Sequence, residues 1–473
     1  MALIGLLVPG LLGFAIVGLL WPKEEKLGSS MLLKICLAFG LGSGLTSGTY
    51  FLWLALIGVP GSLYYGVEVA LTLLLLATLG YIARKNAATS SVSCVLDVPP
   101  TTSSNAVLSY SFVIALGVAA ISFFCLLVWN PHGEWDGWAI WNLRARYLFR
   151  SGLEWKQTFS PILKWSHPDY PLGIPASISR CWTMMRAETV AVSQCLATVY
   201  TAGTVGLLFA ALARLRSQSQ AMLAVLVLIG FPLFVAQGAS QYADVPLGFF
   251  YLATVVLIGL YYDLSERNPG LLVLAGMMAG LAAWTKNEGI PFLMIAFFAL
   301  AVGLTWKKEV NSAVSHFLTF CLGALPGILI LIYFKLYLAP PNYLTQNSGL
   351  GDKLARVIDP GRILQILQAF FSEITFAYLI PVLVVYALVV GFRLESRLIR
   401  PLLISAGILL FTLIGYFLVY LITPLDLTWQ LANSVNRLFM QLWPSFLFLF
   451  FLMVSGPEQE KKPDLEPLTP PST

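Results

Sequence analysis

The stretch "AVLSYSFVIALGVAAISFFCLLVWNPHGEWDGWAIWNLRARYLFRSG", Ala106 to Gly152, joins two kinds of chemistry without a break. Its first half is an unbroken apolar run. Its second half, from Trp129, gathers two carboxylates, a histidine, three arginines and four tryptophans. Apolar runs of about 17 to 25 residues, the length that spans a hydrocarbon core of ~30 Å, recur along the 473-residue chain. The chain is 58% hydrophobic and 11% charged, whereas soluble domains carry roughly a quarter charged residues. A soluble globule is excluded.

Thirteen runs are predicted to cross the membrane: 4–21, 33–57, 63–83, 107–129, 189–213, 219–236, 245–262, 270–285, 289–306, 314–337, 369–392, 399–422 and 438–455. The expected fold class is therefore an all-α integral membrane protein of about 13 transmembrane helices, with a large outer loop carrying amphipathic interfacial helices. Several runs contain Gly and Pro, which membrane helices tolerate. The first lacks a basic n-region and is followed by Lys23, Glu24, Glu25 and Lys26, which reads as a retained helix.

Orientation follows from the loops that hold Lys and Arg. Lys23 and Lys26, Arg84 and Lys85, Arg214 and Arg216, Arg267, Lys307 and Lys308, then Arg393, Arg397 and Arg400, and finally Lys461 and Lys462, fall on alternate loops. Those loops are expected on the cytoplasmic side. The N-terminus, the 130–188 loop, the 237–244 loop, the 286–288 turn, the 338–368 loop and the 423–437 segment then share the outer side. The net charge of +5 reflects this topology, so nucleic acid is not an expected partner. The six cysteines are scattered, with no spacing that suggests a disulfide framework or a zinc site.

Ionisable groups near a bilayer often mark function, and here they gather on one predicted side. The 130–188 loop supplies His132, Glu134, Asp136, Arg144, Arg146, His167 and Asp169, interleaved with tryptophans. "GASQYADVP" supplies Tyr242 and Asp244; "WTKNEG" supplies Lys286, Asn287 and Glu288; "TPLDLTWQLANSVNRLFMQLWP" supplies Asp426, Asn433 and Arg437. The plain reading of any one tryptophan is an aromatic belt, and that of Arg144, Arg146 and Arg150 is contact with lipid headgroups. Asp263 and Glu266, in a turn with Arg267, read as a solvated face.

In their order along the chain, "GEWDGWAIWNLRARYLF", "HPDYPLGIP", "QYADVPLGFF", "AGLAAWTKNEG" and "NRLFMQLWP" resemble the GT-C membrane glycosyltransferases that use polyprenyl-phosphate sugars. The closest likeness in style is the bacterial branch of lipid-A aminoarabinose transferases and protein O-mannosyltransferases. It covers residues 107–455. It implies four segments: an N-terminal membrane addition at 1–106, ending in a linker, a catalytic membrane core at 107–337 with its outer loop at 130–188, an outer loop and C-terminal helices at 338–455, and a disordered cytoplasmic tail at 456–473. Two features depart from the family pattern. The large loop usually follows the first span, whereas here three spans come before the one that leads into it, and no large soluble domain follows the last span.

The resemblance implies an inverting transfer of a hexosyl or pentosyl group from a polyprenyl-phosphate donor to a hydroxyl of a glycolipid, glycan or protein. The site would face the periplasmic side of a bacterial inner or plasma membrane. A carboxylate must take the acceptor proton while cations stabilise the departing phosphate. Asp136 is the expected base, with Asp244 orienting the acceptor or the base and Glu134 competing for either role. Lys286 and Arg437 are expected on the donor phosphate, and His167, Asp169, Tyr242, Glu288 and Arg144 complete the substrate-binding set. Asp136, Asp244 and His167 could also coordinate a divalent cation, for which no ligand spacing is diagnostic. The alternatives are a polytopic lipid or glycan transporter or flippase, which calls for polar groups at depth in the bilayer, and a non-catalytic membrane scaffold.

Overall fold

The computed structural model describes residues 2–22, 30–89, 106–263, 268–305, 310–344, 349–376 and 379–456. Among these the architecture is all-helical, with one isolated bridge between Phe392 and Val454. The chain opens with α1 (Ala2–Leu20), α2 (Met31–Leu56), α3 (Ser62–Thr89) and α4 (Ala106–Trp129). A π-helical turn at Gly137–Asn142, α5 (Leu143–Arg150) and two 3-10 helices, Gly152–Phe159 and Pro161–Ser166, form the large loop. After it come α6 (Gly173–Met185), α7 (Val190–Leu215), α8 (Gln218–Ile229) and α9 (Pro232–Ala239). The centre holds α10 (Asp244–Asp263), α11 (Pro269–Thr285), α12 (Gly289–Thr305) and α13 (Val310–Tyr337). The last elements are α14 (Leu350–Val357), α15 (Pro360–Phe376), α16 (Leu379–Val390), α17 (Ser396–Ile422) and α18 (Leu427–Met453).

Among the described residues, eight helices are long and apolar enough to cross a bilayer, the bent pair α8 and α9 is apolar enough only when taken together, and four shorter apolar helices complete the set. They fall on the thirteen predicted runs. The 69° bend between α8 and α9 has a local cause. Phe231 is extended ahead of Pro232, as the residue before a proline prefers, and Pro232 has no N–H to continue the ladder.

Three readings of the sequence need correction. The segment 423–437 is not a loop throughout, because α18 begins at Leu427, capped by Asp426, whose carboxylate accepts from the Trp429 N–H at 2.7 Å. Arg437 therefore sits well inside a helix. The run 369–392 is split between amphipathic α15 and apolar α16. Asp263 is not solvated: its side chain is 4% exposed and lies 2.6 Å from Arg397 and 3.9 Å from Arg214. Glu266, Arg267, most of the predicted 86–106 linker, the tail from 457, and the lysines at 23, 26, 307, 308, 461 and 462 lie outside the described residues.

Helix α10 is the enclosed centre of the molecule, while α3 and α4 turn most of their apolar surface outward. The first helices are knitted into that centre. Trp284 on α11 donates its indole N–H to Ser47 of α2 at 3.0 Å. Tyr50 of α2 shares hydrogen bonds with Ser179 (2.8 Å) and Thr183 (2.9 Å) of α6. Arg180 of α6 forms a buried ion pair with Glu68 of α3 at 2.6 Å.

Helices α11 and α13 meet backbone to backbone. Between membrane helices there is little hydrophobic drive, so small residues that permit close packing make the interface. A Cβ at Gly276 would lie 2.0 Å from the Phe320 carbonyl, and one at Gly323 would lie 2.0 Å from that of Val273. This contact sets the ends of α11 and α13 side by side. Gly276→Leu should cost about 3 kcal/mol or more by forcing the two helices apart, seen as a lower Tm in detergent. Gly117→Leu on α4, where a Cβ meets nothing within 4 Å, should leave the Tm unchanged; equal behaviour of the two variants would contradict the packing argument.

Candidate active site

Asp244 opens α10 and is fully buried. The position suits a carboxylate, since the N-terminal end of a helix carries partial positive charge. Its Oδ1 accepts from Lys286 Nζ at 2.8 Å and from Gln441 Nε2, and its Oδ2 accepts from Arg437 Nε at 3.1 Å and Nη2 at 2.7 Å. Four donors fill the acceptor capacity of a carboxylate. Arg437 Nη1 then reaches Asp136 Oδ2 at 2.7 Å, and Lys286 Nζ reaches Glu288 Oε1 at 2.9 Å. The outcome is one continuous chain: Asp136, Arg437, Asp244, Lys286, Glu288. Tyr242 lies under Arg437, with 4.6 Å from the guanidinium carbon to the ring centroid.

The elements that deliver these groups are held locally. The Glu134 N–H donates to the Ser240 carbonyl at 3.2 Å and Asn142 donates to the Gln241 side chain at 2.9 Å, so the segment carrying Asp136 is fastened to the one carrying Tyr242 and Asp244. Gln241 takes a left-handed conformation, φ 59°, to turn the chain into α10. Lys286 is extended and ends α11. Its pKa is raised: burial opposes the charge, but Asp244 and Glu288 outweigh it and hold the proton more firmly than water would. Tyr242 is pushed up to about 12 by burial and by the Asp136 charge.

A second polar cluster adjoins the chain. The Asp169 carboxylate accepts from Asn287 at 2.7 Å and Asn342 at 2.6 Å, while Lys335 at the end of α13 donates to the Asp169 carbonyl at 2.6 Å and to Asn287 Oδ1 at 2.7 Å. Asn287 stands between Lys286 and Glu288, so the clusters share one turn. His167 is left-handed, φ 49°, and stacks on Tyr170 with centroids 4.8 Å apart. Its pKa is lowered, with burial outweighing the neighbouring carboxylates.

Two expected site residues stand apart from the chain. Arg144 is fully buried and donates to the carbonyls of Tyr170 (2.7 Å), His167 and Pro168 (both 3.4 Å), so it braces the 167–170 loop. Glu134 is exposed and accepts from Asn130 in its own turn. As for the expected cation ligands, Asp136 and Asp244 are bridged by Arg437, and no group of three His, Cys, Asp or Glu side chains converges among the described residues. Reading the sequence missed Lys335, Asn342 and Gln441. Lys335 was visible as a lysine inside the apolar run 314–337, and Gln441 as the residue one turn after Arg437 on the same face.

Residues 174–333 match the model of a family described as dolichyl-phosphate-mannose-protein mannosyltransferase. Over that third of the chain the match supports a membrane glycosyltransferase of the GT-C type. No curated protein and no solved structure matches it significantly. The matched stretch runs from α6 into α13 and contains Asp244, Lys286 and Glu288; Asp136 and Arg437 lie outside it.

Asp244→Asn should destabilise the fold by about 3–5 kcal/mol, because it leaves Lys286 and Arg437 buried without their shared counter-charge. Combining it with Lys286→Met should cost less than the sum of the two single changes, measured by thermal unfolding in detergent; strict additivity would contradict the coupling. A second expectation concerns pH. Burial favours neutral His167, so its folded-state pKa lies below the unfolded value near 6.5. Its stability contribution is complete above that value and is lost as pH falls below it. The Tm of the wild type should therefore decline from pH 6.5 downward more steeply than that of His167→Phe.

Proposed function

We propose that the protein is an inverting glycosyltransferase that moves a sugar from a polyprenyl-phosphate donor to a hydroxyl of a glycolipid, glycan or protein, on the extracytoplasmic side of a bacterial membrane. The observation that carries this reading is the sharing of Arg437 between Asp136 and Asp244 at the end of the ion chain where carboxylate and cation are both partly exposed. Side-chain exposure is 20% at Asp136 and 16% at Arg437; at the other end Glu288 is 21% exposed but its cation Lys286 only 5%, and Asp244 between them has none. A carboxylate and a planar cation thus stand together where a substrate can meet them. This is the pairing that glycosyl transfer from a phosphate requires.

In the proposed reaction Asp136 takes the proton of the acceptor hydroxyl as its oxygen attacks the anomeric carbon. The bond from that carbon to the phosphate oxygen breaks, and the electron pair leaves on the phosphate. Arg437 meets the developing negative charge with the remaining N–H groups of Nη1 and Nη2 that Asp136 and Asp244 leave free. Asp244, with its acceptor sites filled, acts by orienting Arg437 and Lys286, and Lys286 adds positive charge from behind. His167 and Asp169 shape the loop over the site, braced by Arg144. Glu134, outside the chain, has no direct part.

Asp136→Asn should lower transfer ~10²-fold or more while leaving the protein folded, measured as release of labelled mannose from a synthetic polyprenyl-phosphate mannose. Glu134→Gln should stay near wild type; the reverse order of the two would move the base to Glu134. For sidedness, cysteines placed at exposed Leu153 and at exposed Leu394 should react with a membrane-impermeant reagent in intact cells at the first position alone. Labelling of the second alone would invert the orientation.

A further inference from the structure

Behind the ion chain lies a row of buried polar side chains that the reaction does not touch. Gln441 is completely buried, donates Nε2–H to Asp244 Oδ1, and accepts at Oε1 from the Tyr416 hydroxyl at 2.8 Å. Tyr251 donates its hydroxyl to the Glu288 carbonyl at 2.9 Å and lies 3.3 Å from the Tyr416 oxygen. Its ring stacks on Phe292 at 3.9 Å. The row draws on α10, the start of α12, α17 and α18.

Such groups are costly to bury in apolar surroundings unless they are hydrogen-bonded, and leucine is the ordinary content of a helix at this depth. The chemistry here is directional. A glutamine amide has a donor end and an acceptor end, and turned over it would aim its carbonyl at a carboxylate. A tyrosine hydroxyl has one proton to give. Tyr416 gives it to Oε1, and that choice leaves Nε2–H for Asp244.

We infer that Gln441, oriented by Tyr416, is a positioning residue: it fixes the rotation of the Asp244 carboxylate and thereby places Arg437 and Lys286 to receive the donor phosphate. Tyr251 supports the same arrangement from the other end by holding the carbonyl of the Lys286–Glu288 turn. The inference rests on the proposed role of Arg437 at the phosphate.

The test is binding of farnesyl phosphate to the purified full-length chain in detergent, by calorimetry from pH 5 to pH 9, each variant expressed relative to the wild type at the same pH. Gln441→Leu should bind about tenfold more weakly at every pH, the worth of one charge-assisted hydrogen bond. Gln441→Glu should bind nearly as the wild type at pH 5, where its carboxyl is protonated and donates as the amide does. It should weaken as the pH rises and that proton is lost. A residue that merely filled space would show neither the recovery nor the pH dependence. Tyr416→Phe should weaken binding severalfold in the wild type and add nothing to Gln441→Leu, a comparison that stands even where the glutamate variant fails to fold. Tight binding by Gln441→Leu, a Gln441→Glu variant as weak as Gln441→Leu at pH 5, or full additivity of the Tyr416 change would each overturn the inference. If the wild type does not bind, or Arg437→Ala binds equally well, the phosphate reading itself fails.

Discussion

A carboxylate with no exposure to water, in a protein built to sit in lipid, is the constraint around which this molecule is arranged. The Asp244 charge could not persist there alone, because an unpaired buried ion costs several kcal/mol even after relaxation. Four donors meet it, from the end of α11 and from α18. Those donors are the reason the "TKNEG" turn and the middle of α18 come together. Each cation so recruited has bonding capacity left over, and the surplus reaches Asp136 on one side and Glu288 on the other. A fixed pairing thereby becomes a device that presents charge at its edge.

The geometry of that edge is controlled by packing some distance away. Lys286 and Lys335 stand at the ends of the two helices whose glycines let their backbones touch, and Asn287 links the two polar clusters there. The spacing of two positive charges is therefore set by a helix crossing and not by flexible side chains. The same logic extends to the first three helices, since Ser47, Tyr50 and Glu68 fasten α2 and α3 to α6 and α11.

Most of the architecture was legible in the sequence, because hydrophobic length is a direct readout of bilayer thickness. The grouping of polar motifs was legible for the same reason: charge is expelled to the ends of spans unless it is paired. What escaped was pairing itself. Arg437 and Gln441 lie within α18, where an average over many residues sees only moderate apolarity and cannot tell that one helical face is polar. Asp263 was taken for a surface residue because its partner Arg397 is 134 positions away along the chain. Arg144 looked like a substrate ligand or a headgroup contact, yet it serves three backbone carbonyls, which no side-chain pattern announces. The helix crossing of α11 and α13 was written plainly in glycines four residues apart and was passed over as ordinary tolerance for glycine in membranes.

Helix α10 carries an aspartate at each end, and both ends are gripped by arginines from the final pair of long helices: Arg437 of α18 at Asp244, Arg397 of α17 at Asp263. A rod pinned top and bottom can neither slide along its axis nor tilt between its neighbours without parting opposite charges, a buried pair at Asp244 and a half-exposed one at Asp263. Alternating-access machines work by such rocking. Here α10, α17 and α18 are tied into one frame at both ends of α10, and the loop between α4 and α6 is fastened to that frame through Ser240 and Gln241.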